Sequence, residues 1–280
     1  MTPLLLSILR IAVTLVAAYV LLVVLAAGCQ RKLVYYPSKA DTPRLRSEAE
    51  RIGLVPWTDA EGERIGWTNE QSAAPPCPAV VVFHGNAGHA LHRFHFVQAL
   101  ASNWEEEGLR VFVFEYPGYA DRSGRPSERV IKKAAAQATE ELLDRTSTDR
   151  LFVLGESLGS GVACHLAGKM PDQIAGVLLI TPFTSLVDVA KRHYPYLPVA
   201  WLLRDRYKNV EPLENYAGPV AVILAERDAV VPPPIGHRLY ESYDGPKRLW
   251  IQKGRGHNTL NYDPTLPWWT EVVDFLREPQ

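Results

Sequence analysis

Hydrophobic and polar positions follow one another along this chain in distinct blocks, and the first block is the longest. Ile11 to Gly28 carries no charge, and Leu4 to Leu9 extends the apolar run on the other side of Arg10. About 18 apolar residues suffice for a helix to cross the hydrocarbon core of a bilayer. A terminal helix that is apolar on every side has no surrounding domain to bury it. Residues 1–29 are therefore expected to form a membrane helix or signal-like segment, and residues 30–280 a single domain.

Shorter apolar runs follow at regular intervals. Lys32 to Pro37 reads as an extended segment ended by proline, and residues 38–50 as loop or irregular helix. Two strand-like pieces between Leu54 and Thr68 flank Asp59-Ala60-Glu61-Gly62, a hairpin turn. Ala79–Phe83 is a fully apolar strand, residues 90–104 have helical spacing, and Arg110–Tyr116 is the next strand. Ser127 is placed to cap a helix reaching Asp144, with Val130, Ala134, Ala138 and Leu142 on one face. Strands are expected at Leu151–Leu154, Val177–Ile180, Val220–Leu224 and Arg248–Ile251, and helices at Leu158–Met170 and Leu266–Leu276.

Uninterrupted apolar strands alternating with amphipathic helices predict an α/β fold, its mostly parallel central sheet flanked by helices on both faces. One connection breaks the rhythm. Residues 183–216 are far too many for an ordinary strand-to-helix link, and they read as a short lid insertion over the carboxyl ends of the strands.

Composition narrows the function classes. The chain is 47% hydrophobic with a formal net charge of -1, and it lacks the basic stripe of a nucleic-acid binder. Cys29, Cys77 and Cys164 form no CxxC pair and have no zinc-site spacing, so no metal site is expected; no cofactor is expected either, since the candidate residues at the strand ends suffice without one. Cys77 and Cys164 read as free thiols, with a disulfide between them left open. Leu25-Ala26-Ala27-Gly28-Cys29 places small residues before a cysteine as a bacterial lipobox does, although Ala26 stands where leucine is usual. Attachment through an uncleaved helix and through a lipidated Cys29 are both open. Arg31, Lys32, Lys39, Arg44 and Arg46 after the span, against Arg10 before it, favour a cytoplasmic domain. Lipoprotein processing would put the domain on the other side.

The chemistry-bearing residues lie where strands end. Gly155-Glu156-Ser157-Leu158-Gly159 matches G-x-S-x-G between an apolar strand and a helical run, the context in which this turn projects a nucleophilic serine above a sheet. A serine hydroxyl needs a base to take its proton. Asp228 follows the strand ending at Leu224, and His257 follows the strand ending at Ile251. His257 is thus the expected general base and Asp228 the residue that orients it, with Glu226 the rival acid. The backbone N–H of Leu158 and that of Asn86, in His84-Gly85-Asn86-Ala87-Gly88, are the expected oxyanion donors, with Ala87 the alternative to Asn86.

Together these residues resemble the α/β-hydrolase superfamily, and within it the small-lid serine hydrolases with one N-terminal membrane helix. The resemblance runs through Gln30-Arg31-Lys32-Leu33-Val34-Tyr35-Tyr36-Pro37, HGNAG (84–88), GESLGSG (155–161), TPFTSL (181–186), ERDAVVP (226–232) and GRGHN (254–258). It implies a hydrolase acting on an ester or thioester, with a small-molecule or acylated substrate and a membrane as partners. An amidase or peptidase using the same residues, and a silent binding protein that keeps the fold, are the alternatives. The loop Gly118-Tyr119-Ala120-Asp121-Arg122-Ser123-Gly124 departs from the related GYGxSxG pattern and is expected to bring charge near the site.

Overall fold

The computed structural model describes residues 2–69, 76–104, 108–146, 148 and 150–278. It opens with helix α1 (Pro3–Val34), strand β1 (Tyr36–Pro37) and helix α2 (Thr42–Arg51). Then come β2 (Val55–Thr58), β3 (Arg64–Thr68), β4 (Ala79–Phe83), β5 (Ala87–Gly88), α3 (Phe94–Ser102), β6 (Arg110–Phe114) and α4 (Glu128–Arg145). The second half runs β7 (Leu151–Glu156), α5 (Ser160–Lys169), β8 (Ile174–Ile180), α6 (Leu186–His193), α7 (Val199–Leu202) and α8 (Val210–Leu213). It ends with β9 (Val220–Ala225), α9 (Pro233–Ser242), β10 (Lys247–Gln252) and α10 (Pro267–Arg277).

Eight strands form one sheet in the order β10-β9-β8-β7-β4-β6-β3-β2, parallel from β10 to β6 and antiparallel at β3 and β2. Successive side chains along a strand point to opposite faces, and the core divides accordingly. Val81, Phe83, Val153, Leu179 and Val222 share one apolar cluster with α4 and α5. Val80, Val82, Leu154, Leu178 and Ile223 share the other with α3 and α10. Strands buried on both faces carry no polar alternation, hence the unbroken apolar runs in the sequence.

Local signals account for most helix starts. The Ser127 hydroxyl accepts the Val130 N–H to cap α4, and Lys132 pairs with Glu128 one turn earlier. The face of α4 turned inward is rotated slightly from the expected one: Ile131, Ala135, Ala138 and Leu142 are buried, while Val130 and Ala134 are half-buried. Residues 42–51 are a regular helix where loop or irregular helix is expected. Asp41 caps it by accepting the Arg44 N–H, and only Leu45 and Ala49 are buried. Cys77 and Cys164 are both free and buried, and burial pushes the Cys164 thiol up to about 12.

The largest difference lies at the N-terminus. Helix α1 does not stop near residue 29 but continues through Val34; Tyr35 is extended, and only Tyr36 and Pro37 form a strand, paired with Ala87 and Gly88. Arg31 and Lys32 lie in its last turn, where cations suit the negative end of the helix dipole. Gln30, Arg31 and Tyr35 also find partners in residues 202–207. These contacts with a distant part of the chain outweigh the strand preference of Leu33-Val34-Tyr35-Tyr36.

Candidate active site

Strands β4, β7, β9 and β10 run parallel, so the loops at their carboxyl ends meet at one edge of the sheet. In open α/β sheets that edge is where ligands bind. Ser157 follows β7 directly, with φ 50°, a left-handed conformation rare outside glycine. Two close approaches allow this turn. A Cβ on Gly159 would overlap the Phe83 carbonyl oxygen, and one on Gly155 would overlap the backbone of Gly159 and Ser160. Both glycines are demanded by space rather than by their own φ.

His257 Nε2 lies 3.0 Å from Ser157 Oγ, and His257 Nδ1 lies 2.7 Å from Asp228 Oδ2. The other oxygen, Asp228 Oδ1, accepts the N–H groups of Val230 at 2.8 Å and Val231 at 2.7 Å. The Asp228 carboxylate is thus held by the loop that follows it, with its free oxygen aimed at the imidazole. Glu226 turns elsewhere: it is exposed and accepts the Gly254 N–H at 2.7 Å, clipping the β9 and β10 loops together.

Asn86 and Leu158 both face the cavity beside Ser157. Among the described residues no turn or loop carbonyl takes the backbone N–H of either. Ala87 is exposed and belongs to the short pairing with β1. The Asn86 loop is braced at several points. The Asn86 carbonyl accepts Tyr36 N–H at 2.9 Å and Tyr119 O–H at 2.7 Å, its side-chain amide donates to Val34, and the His84 carbonyl accepts Tyr116 O–H at 2.6 Å.

Glu156, the residue before the serine, has a role that the motif alone does not reveal. Its Oε2 accepts the Gly85 N–H at 3.0 Å and the Arg93 Nε–H at 2.5 Å. Burial by itself would raise this carboxyl, but the Arg93 guanidinium and the two hydrogen bonds win and hold it below the usual carboxylate range. Asn209 is a second such residue. Fully buried, it donates to Ser160 Oγ and to the Phe183 carbonyl, while Ser160 Oγ donates to the Ser157 carbonyl at 2.6 Å. A single asparagine within the insertion gave no sequence signal of this contact.

Asp121 and Arg122 do not bring charge to the site. Asp121 pairs with Arg64 and accepts the Thr42 hydroxyl at 2.7 Å. Arg122 donates to the Glu115 carbonyl and lies over the Phe114 ring. Both serve the loop's attachment to the domain, and neither lines the cavity.

That cavity has a volume of about 310 Å³ and is walled largely by apolar side chains. Ser157 and Leu158 line it, with Phe183, Leu186, Val189 and Leu202 on the insertion side, and Val230 and Val231 near Asp228 in the chain. The insertion's large apolar and aromatic residues divide: Tyr194 and Leu197 face the cavity, whereas Tyr196 and Trp201 are 86% and 89% exposed.

Comparison with known proteins agrees with this fold. Residues 78–215 match the family model of the alpha/beta hydrolase fold. The chain is 36% identical over 251 residues to an uncharacterized protein of Mycobacterium tuberculosis, covering 89% of this chain and 86% of that protein. It is 31% identical over 251 residues to the lysophosphatidylserine lipase ABHD12 of Danio rerio, covering 80% of this chain and 64% of that protein. A solved esterase from Pyrococcus furiosus superposes with a TM-score of 0.63 at 18% identity, over 87% of this chain and 97% of the esterase. The chain belongs to the α/β-hydrolase family.

Proposed function

We propose that this protein is a membrane-anchored serine hydrolase that cleaves a lipid-like acyl ester or thioester through an acyl-enzyme on Ser157. The observation that carries the proposal is the unbroken chain Asp228–His257–Ser157, with spacings of 2.7 and 3.0 Å, whose serine lines an apolar cavity. The relative named as a lysophosphatidylserine lipase supports a lipid ester over other acyl donors.

In the reaction, His257 Nε2 takes the Ser157 hydroxyl proton as Oγ attacks the substrate carbonyl carbon. Asp228 holds the imidazole with Nδ1–H towards its carboxylate and stabilises the imidazolium that forms. The Leu158 and Asn86 N–H groups receive the oxyanion, a contribution of about 3–4 kcal/mol for one such donor. The imidazolium returns the proton to the leaving alcohol or thiol as the bond to it breaks. Water, activated by the same imidazole, then releases the acid and restores Ser157. The residues supply every proton transfer, and no metal or cofactor enters the scheme.

The anchor is helix α1. Its 32 residues span about 48 Å at 1.5 Å per residue, more than the roughly 30 Å hydrocarbon core requires. Its apolar side chains are bare: Leu15 is 65% and Val16 63% exposed.

Hydrolysis of p-nitrophenyl acetate, butyrate and octanoate by the full-length chain in detergent micelles tests the reading. Ser157→Ala is expected to lose activity by at least about a thousandfold and to lose labelling by a fluorophosphonate probe. Wild-type protein that is folded, unlabelled and inert on all three esters would exclude the proposal.

A further inference from the structure

We propose that helix α1 is a wall of the acyl-binding cavity as well as an anchor, and that Ala26 on it sets how long an acyl chain the site accepts. The proposal rests on the reading of Ser157 above. Ala26, Gln30, Leu33 and Val34 line the same cavity as Ser157 and Leu158. They belong to one stripe: Val23, Ala26 and Ala27 are half-buried and Gln30 is buried, while Leu21, Leu22, Val24 and Leu25 around them are each more than half exposed. Residues spaced by three and four share a helix face, so this face meets the domain and the others are left for lipid.

The rotation and depth of the helix are fixed by polar contacts, which an apolar contact alone would not do. Gln30 lies only 8% exposed at the end of the apolar stretch, just before Arg31 and Lys32. Burying an amide is costly unless its donor and acceptor are both used. Here Nε2 donates to the Leu202 carbonyl at 3.1 Å and to Ala27 at 2.8 Å, and Oε1 accepts the Arg204 N–H at 2.7 Å. About three turns earlier, the Tyr19 hydroxyl donates to the Tyr196 carbonyl at 2.8 Å. At the helix end, Tyr35 donates to Asp205 at 3.0 Å. These latches join α1 to the insertion above the site and hold Ala26, one turn before Gln30, against the cavity. A side chain of one carbon at that position leaves the room that a longer one would fill.

Burying each methylene is worth about a fourfold preference. Losing space for two or three of them corresponds to a fall of roughly 15- to 60-fold for a chain that reaches Ala26. The test uses the full-length chain in detergent micelles and reads the ratio of kcat/KM for p-nitrophenyl octanoate to that for the acetate. Ala26→Trp is expected to lower the ratio at least tenfold. Leu25→Trp, on the exposed face, is expected to keep it within twofold. An Ala26→Trp ratio within twofold of wild type, with Ser157→Ala inactive on both esters, overturns the wall while leaving the nucleophile intact. If Ala26→Trp does not fold, Ala26→Leu is expected to shift the ratio in the same direction, and an unchanged ratio counts against the proposal. Affinity for a fluorescent long-chain fatty acid, measured on Ser157→Ala with and without Ala26→Trp, reads the wall without turnover. Weakening by at least tenfold supports it, and equal affinity overturns it, whatever becomes of the esterase reading.

Discussion

Glu156 accepts the backbone N–H of Gly85 at 3.0 Å, so the residue before the serine holds the turn that carries the Asn86 amide. Arg93 completes the arrangement by donating to the same carboxylate oxygen. Glu156→Gln keeps the shape but removes the charge that Arg93 pairs with. Losing a hydrogen bond to a charged partner at this half-buried site is expected to cost about 1–3 kcal/mol at neutral pH. The pH dependence has a definite sign. The Glu156 carboxyl is held below its ordinary value in the folded state, so its contribution is complete above the unfolded carboxyl pKa of about 4.3 and is lost as pH falls through the lower folded value. Thermal melts should therefore show wild type more stable than Glu156→Gln at pH 7, with the gap closing in acid. A gap that persists unchanged at the lowest pH where both fold would rule out the charge as its source.

Asp228 and Glu226 lie two residues apart yet have different partners, and their variants should separate sharply. Asp228→Asn leaves an amide where the imidazole needs an acceptor, which favours the wrong tautomer. A loss of about 10³- to 10⁴-fold in kcat is expected. Glu226→Gln can still accept the Gly254 N–H through its amide oxygen, so its kcat should stay within about tenfold of wild type. Steady-state kinetics on one ester decides this, and equal losses in the two variants would remove Asp228 from its assigned role.

The parts of this architecture that the sequence exposed are those governed by local rules. Ser127 announces α4 because a cap acts within one turn, and the apolar runs announce strands because both faces of the sheet are covered. Ser157, Asp228 and His257 were legible as a set because each follows a strand, and parallel strands bring such loops to one edge. Helix α2 was harder to read, since only Leu45 and Ala49 are buried and its other residues face water. The start signal was present all the same, in Asp41 followed by Pro43. The end of α1 was not legible. Leu33-Val34-Tyr35-Tyr36 favours a strand locally, and the Gln30 contacts that favour helix come from residues more than 170 positions away. Asp121-Arg122 misled for a related reason: proximity to a motif does not reveal that Arg64 and the Glu115 carbonyl will hold the charges off the cavity.

The same contacts bear on how the N-terminus is processed. Cleavage before Cys29 would discard Ala26 from the cavity wall and Tyr19 from its bond to Tyr196, although Gln30 would remain. Helix α1 runs unbroken through Cys29, whose side chain is exposed. The mature protein is therefore expected to retain residues 2–28. Intact-mass analysis of membrane-extracted protein should give the unprocessed chain, and Cys29→Ala should fractionate like wild type. A mass matching a chain that begins at a lipidated Cys29 would contradict both the anchor and the cavity wall.

Tyr196 and Trp201 stand out from the insertion at 86% and 89% exposure, on the segment that α1 grips through Tyr19 and Gln30. Large aromatic side chains bare to water are costly, and amphipathic rings prefer the headgroup level of a bilayer. With α1 in the membrane, the outer surface of the insertion would rest on the lipid and the cavity would open close to its acyl chains. Trp201 fluorescence tests this directly. Reconstitution into vesicles of brominated phospholipid should quench part of the emission, and Trp201→Phe should remove most of that quenching. The six other tryptophans provide the control, because Trp57, Trp67, Trp104 and Trp269 are buried and Trp250 and Trp268 are half-buried in the domain. Quenching that survives in Trp201→Phe would place the insertion away from the bilayer, and the substrate would then have to reach Ser157 from water.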